Sequence, residues 1–210
     1  MMDRNKLGIR KQLGIFIKYF AIFLIVPIVG TLLHELGHYL VAVLNGYEAR
    51  IAYAYTISSI DRISEPDMYF YYILGGPIAT WLQSLIPFFI MVVYYRKEKR
   101  SEFSERANLP PLYIVLLGFT TICGRFIFNA GGFMFTRSSS LDEAKMADYL
   151  NINADVIVYP FAFIAWTILI ISIYMLPRNI RFTIFISALL GAGIGYYLWY
   201  YHIGPIVMPV

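Results

Sequence analysis

The chain has 210 residues, of which 59% are hydrophobic, 18% aromatic and 14% charged, with a mean hydropathy of +0.63. Soluble domains carry about a quarter charged residues, so this composition describes a membrane protein. It excludes disorder, a coiled coil and a nucleic-acid-binding module, because Lys and Arg fall in short clusters between apolar stretches rather than on one recognition element.

One cysteine, Cys123, excludes a disulfide framework and is most simply a small apolar core residue. The 17 basic and 13 acidic residues, net +4, read as topology marks at a bilayer, and the length suits one transmembrane domain over 1–210.

Crossing the hydrocarbon takes roughly 20 apolar residues. Five such stretches are found near 21–45, 69–95, 112–135, 156–176 and 181–201. The first belongs to an apolar run over 12–45 that would be about 51 Å long as a single helix. Two readings are open: a Lys-containing lead-in along the interface followed by one span with Pro27 inside it, or two spans separated at Pro27. Charge favours the first. Arg4, Lys6, Arg10, Lys11 and Lys18 precede the first span, Arg96, Lys97, Lys99, Arg100 and Arg106 follow the second, and Arg178 and Arg181 flank the turn before the last.

These basic segments alternate with 46–68 and 136–155, where eight acidic residues face four basic ones. The positive-inside rule then predicts a multi-pass protein of the cell membrane with a cytoplasmic N-terminus and an outer C-terminus. Between the first two spans, residues 47–57 alternate with a period of two and are rich in tyrosine, which predicts a strand or short hairpin at the outer surface. The expected fold is therefore all-α and polytopic, about five transmembrane helices with a short extramembrane β-strand or hairpin after the first. Gly191, Gly193 and Gly195 in the last span predict a helix-packing face, and His202 an interfacial residue among tyrosines.

His34-Glu35-Leu36-Gly37-His38 carries the chemical signal. In a helix, residues i and i+4 share a face, so His34 and His38 can turn both imidazoles to one Zn²⁺, with Glu35 beside them to take a proton from a water that the metal activates. Two histidines and a glutamate inside hydrocarbon are costly unless they have such a use.

A HExxH within a transmembrane helix resembles the site-2 protease family of intramembrane zinc metalloproteases, and Gly75-Gly76-Pro77-Ile78-Ala79-Thr80 in the next span is similar to that family's Gly-Pro motif. The resemblance covers the first three spans and the loop after them. It implies that His34 and His38 are zinc ligands, that Glu35 is the general base, and that the partner is a transmembrane protein substrate cleaved in or near the lipid bilayer. Leu141-Asp142 resembles the family's Leu-Asp-Gly motif, which implies Asp142 as the third ligand; Glu143 stands in place of the Gly, a Pro-rich lead-in is absent, and Thr80 stands where the family often has Asn.

A catalytic zinc needs three protein ligands. Glu143 and Asp148 are the alternatives to Asp142, which would otherwise be a first-turn residue of a helix over 141–150 capped by Ser140. Arg125 and Asn129, spaced i and i+4 in the third span, are candidates for contact with substrate or oxyanion, or else for tying helices together. A zinc or proton carrier and an inert binder of transmembrane segments are the competing functions; a glutamate between the histidines has a specific use only in hydrolysis.

Overall fold

The computed structural model describes residues 8–97 and 109–209. Of the residues read as topology marks, Arg4, Lys6, Lys99, Arg100 and Arg106 lie outside this set. The fold is all-α and polytopic, with, among the described residues, five helices long and apolar enough to cross a membrane and one small hairpin.

The first apolar run is a single helix, α1 (Ile9–Leu44), 36 residues long with Pro27 inside it. This decides between the two readings: Pro27 does not divide the run into two spans. The helix starts well before the predicted position 21. Proline removes one backbone hydrogen bond, but hydrocarbon offers the remaining N–H and C=O groups no partner except the helix itself, so the helix continues.

The tyrosine-rich segment folds back on itself instead of running as one strand. Strand β1 (Ala49–Ile51) pairs antiparallel with β2 (Thr56–Ser58), Arg50 opposite Ile57. The alternation at 47–57 continued through the turn because Ala52 N–H donates to the Tyr55 carbonyl at 2.8 Å and closes the hairpin inside it. Helix α2 (Pro66–Lys97) is the second span.

The third span covers Pro111–Thr136, matching the stretch expected near 112–135, with one local change of helix type inside it. It consists of α3 (Pro111–Thr120), a 3₁₀ turn (Thr121–Cys123) and α4 (Gly124–Thr136). The cause is local: the Thr120 and Thr121 hydroxyls donate to the carbonyls of Leu116 and Gly118, both at 2.8 Å, and such back-bonding competes with the regular ladder. A short helix α5 (Asp142–Tyr149) follows, then α6 (Asp155–Tyr174) and α7 (Arg181–Leu198), which runs through a π turn (Trp199–Ile203) into α8 (Gly204–Val207).

Packing is organised around α1. On one side it meets α2 with almost no side chain between the backbones: a Cβ on Gly75 would lie 2.6 Å from the Gly37 carbonyl oxygen, and one on Gly37 would collide with the Gly75 carbonyl. On the other side α7 lays Gly191 and Gly195 against the Phe20 and Leu24 carbonyls. The predicted glycine face is thus two residues rather than three, since Gly193 has nothing within 4 Å of where a Cβ would lie. Tyr19, Phe23, Met91, Tyr113, Cys123 and Phe126 fill the interior. Phe163 and Phe182 stand 73% and 75% exposed on the outside, as suits a protein whose solvent is lipid.

One end of the bundle is held by polar ties. Arg50 reaches the Pro209 carbonyl at 3.2 Å, Trp199 Nε1 donates to the Tyr53 carbonyl at 2.7 Å, and Tyr149 donates to Asp67 at 2.6 Å. Arg62 pairs with Asp148, and Arg137 with Asp155. The two acidic connecting segments and the C-terminal end therefore share one side of the bundle.

The glycine contacts predict an asymmetric result. Gly195→Val should lower the thermal midpoint of the detergent-solubilised protein, by the equivalent of about 1–3 kcal/mol for overpacking, whereas Gly193→Val should leave it unchanged. A midpoint equally insensitive to both would contradict the close α1–α7 approach.

Candidate metal centre

His34, Glu35 and His38 are buried in the middle of the molecule, at 1%, 2% and 3% exposure. Helical spacing puts the two imidazoles on one face, and α2 orients both. His38 Nδ1 donates to the Tyr72 carbonyl at 2.7 Å, and His34 Nδ1 lies 2.8 Å from the Thr80 hydroxyl. A carbonyl only accepts, so His38 carries its proton on Nδ1 and turns a lone pair outward on Nε2.

The two Nε2 atoms are 3.2 Å apart, and Asp142 Oδ2 lies 2.9 Å from that of His34 and 3.3 Å from that of His38. Ligands about 2.0–2.1 Å from a tetrahedral Zn²⁺ are about 3.3 Å from one another, so this triangle has the dimensions of one face of a zinc tetrahedron. Two imidazole nitrogens and a carboxylate oxygen are also an ordinary donor set for catalytic zinc. The residues present fit the ion.

Helix α2 leaves space at this triangle because residue 76 is glycine. A Cβ there would press on both Nε2 atoms, 2.5 Å from that of His34. Gly75 and Gly76 therefore have separate tasks, the first letting the helix backbones touch and the second keeping the histidine cradle open.

Asp142 arrives from the far side. After α4 the chain turns through Arg137 in the left-handed region (φ 49°), and Asp142 opens α5. Ser140 does not cap that helix: its hydroxyl bonds that of Ser138 at 2.7 Å, and Leu141 occupies the cap position. Lys145, one turn on, lies 3.6 Å from Asp142 Oδ1 and leaves Oδ2 to the histidines. Burial works to raise the Asp142 carboxyl, but its contacts with His34 and His38 outweigh that and hold it well below the usual carboxylate range.

The other two acids are placed elsewhere. Glu143 is buried and takes hydrogen bonds from Asn129 Nδ2 at 3.2 and 3.3 Å; burial, with the Asp142 charge beside it, pushes its carboxyl up. Asp148 is bound to Arg62 with its side chain 62% exposed. Asp142 and Glu143 are thus site and core residues rather than surface topology marks.

Glu35 stands beside the triangle. Its carboxylate and the ligating nitrogens of both histidines all lie within 4.8 Å of one another. The Thr56 hydroxyl on β2 donates toward the Glu35 carbonyl at 2.9 Å and its Oε2 at 3.2 Å, and the Tyr72 hydroxyl donates to the Thr56 carbonyl. A cavity of about 450 Å³ opens in front, bounded by Glu35 and His38, by residues 54–58 of the hairpin, by Arg125 and Asn129 of α4, and by Asp142 and Lys145 of α5.

Thr56, Gly76 and the Tyr72 carbonyl were not singled out as site residues from the sequence, and Thr80 only as a substitution within a motif. A doubled glycine opposite a helical histidine pair was the available signal for Gly76. Neither Thr56 nor a backbone carbonyl carries any. Comparison of the chain with protein-family models, curated proteins and solved structures finds no match.

Metal content of the purified protein is expected to separate these residues. Asp142→Ala and Gly76→Ala should both lose stoichiometric zinc, and Thr80→Val should weaken binding about 10–100-fold, as removing a ligand's outer partner does. Asp148→Ala should bind as wild type. Full zinc occupancy in Asp142→Ala would remove that residue from the ligand set.

Proposed function

We propose that this chain is an intramembrane zinc metalloendopeptidase, similar to the site-2 proteases, that cleaves transmembrane segments of membrane-protein substrates. The observation that carries this reading is the convergence of three potential ligand atoms, His34 Nε2, His38 Nε2 and Asp142 Oδ2, with the Glu35 carboxylate beside them on the wall of a cavity. Positive-inside bias supports a cell-membrane location with a cytoplasmic N-terminus, so the site lies toward the outer side.

His34, His38 and Asp142 hold the ion. Bound Zn²⁺ supplies Lewis acidity, which acidifies a water and polarises the scissile carbonyl. Glu35 takes the proton of the attacking water and delivers it to the leaving amine nitrogen, and the Thr56 hydroxyl keeps the carboxylate turned to the cavity. Hydrogen bonds from α2 hold both imidazoles in the orientation that presents Nε2.

A helical substrate hides its carbonyls in its own hydrogen bonds and must be extended to react. Strand β2 supports a way of holding it. Pairing of Arg50 with Ile57 turns the backbone groups of Tyr55, Ile57 and Ser59 toward β1, which leaves the Ser58 N–H on the opposite edge to receive an extended segment.

A carrier that uses the same histidines is the rival, and Glu35 separates the two. Glu35→Gln should retain zinc and lose about 10²–10⁴-fold in cleavage of single-pass substrates in proteoliposomes. Undiminished cleavage would end the mechanism, and zinc uptake into the vesicles without cleavage would favour the carrier. Ser58→Pro, with Ser58→Ala as its control for the hydroxyl that accepts from Ile60 N–H, tests strand pairing, since it removes the outward N–H while leaving the β1–β2 backbone bonds. Cleavage should fall with zinc retained, and a rate equal to wild type would exclude pairing at this edge.

A further inference from the structure

Arg125 and Lys145 are charged groups of the cavity that the chemistry above leaves unused, and of the two only Lys145 is paired, with Asp142. Arg125 sits at the start of α4, where the 3₁₀ turn aims it inward between the cavity and a smaller, largely apolar pocket of about 80 Å³ lined by Phe23, Val26, Ile122, Ala192 and Tyr196. Its Nε and Nη1 are buried and have no hydrogen-bond partner among the described residues.

The nearby carboxylates Glu35, Asp142 and Glu143 feel the Arg125 charge but form their hydrogen bonds with other groups. Asp142 faces His34, His38 and Lys145; Glu35 is bonded by Thr56; Glu143 takes both bonds of Asn129. A guanidinium in a membrane interior with unmet donors is costly unless an acceptor arrives from outside.

The charge of the cavity points to what that acceptor is. Two carboxylates, Glu35 and Asp142, balance two cations, Arg125 and Lys145, so a bound dication leaves the cavity with an excess of two positive charges. We propose that Arg125 is the substrate-recognition residue of this site and binds a carboxylate of the substrate, which makes substrates with a carboxylate near the scissile bond the preferred class. The planar fork of arginine matches a carboxylate with two parallel hydrogen bonds. The carboxylate has two possible sources, an Asp or Glu side chain or a free C-terminus. The inference rests on the peptidase reading for its meaning, but it can be tested apart from turnover.

The test uses zinc-loaded Glu35→Gln protein in nanodiscs and fluorescent transmembrane peptides of about 20 residues. One set carries a single Glu, or Gln in its place, moved along the peptide; another has a free or an amidated C-terminus. Binding of the carboxylate form should be roughly 10–100-fold tighter than that of its neutral counterpart, as for a charged hydrogen-bonded pair. The preference should vanish in Arg125→Gln with zinc content retained, and survive in part in Arg125→Lys.

A preference that follows the Glu assigns the side chain as the source, and one lost on amidation assigns the C-terminus. Equal binding of all peptides by protein with Arg125 intact overturns the proposal, whether or not the variants fold. An equal weakening of acidic and neutral peptides in Arg125→Gln also overturns it and assigns Arg125 to the peptide backbone. Protein with Glu35 intact reports separately on the peptidase reading: peptides left uncut beside an intact preference would refute catalysis and keep the carboxylate site.

Discussion

The contact between the backbones of α1 and α2 is the constraint on which the site depends. Gly37 and Gly75 meet with a carbonyl where a side chain would stand, and that closeness brings the Tyr72 carbonyl and the Thr80 hydroxyl to the outer nitrogens of the two histidines. Were the helices held apart by side chains at these positions, the Tyr72 carbonyl and the Thr80 hydroxyl would not reach the Nδ1 atoms, and neither imidazole would be oriented from α2. Gly76 completes the arrangement by leaving empty the volume into which both Nε2 atoms point.

Burial in a lipid-facing bundle explains why the polar groups are so closely matched. Water cannot satisfy them in hydrocarbon, and the groups around the site are met by the protein: Glu35 has Thr56, Glu143 has Asn129, and His38 has a backbone carbonyl, while Ser84 Oγ, the Gln83 amide and Arg125 Nε and Nη1 have no hydrogen-bond partner among the described residues. Two of the features at the site point to ligands: three potential ligand atoms that converge within 3.3 Å of one another suit a cation, and an arginine with unmet donors suits an anion.

The short elements outside the spans complete the site. Without the hairpin, Glu35 would lose the Thr56 hydroxyl and the cavity a wall; without the turn at Arg137, Asp142 would not return to α1. Arg50, Arg62 and Trp199 anchor these pieces to one another at the same end of the bundle, so the site is a product of chain segments that lie more than 100 residues apart.

Much of this was legible in the residues themselves. Five apolar stretches announced five helices because hydrocarbon thickness sets a length that composition reveals directly. The His34–His38 pair was equally plain, since a helix turns i and i+4 to one face whatever surrounds it. The 3₁₀ turn at Thr121–Cys123 inside the third span was not, because two threonines in an apolar run are as compatible with a regular α-helix as with a 3₁₀ turn.

Nor could local pattern choose among Asp142, Glu143 and Asp148, which share one short helix and differ only in where they point. Their places were decided by the packing of α5 against α2 and α6, which gave one acid to the histidines, one to Asn129 and one to Arg62. The sequence by itself determined the solvent, the number of spans and the zinc-type histidine pair, all properties of local period and transfer energy. The contact of Asp142 with the histidines, those of Thr56 and Thr80 with Glu35 and His34, and the unmet donors of Arg125 were decided only by the tertiary structure, because each depends on distances between residues that the chain alone does not bring together.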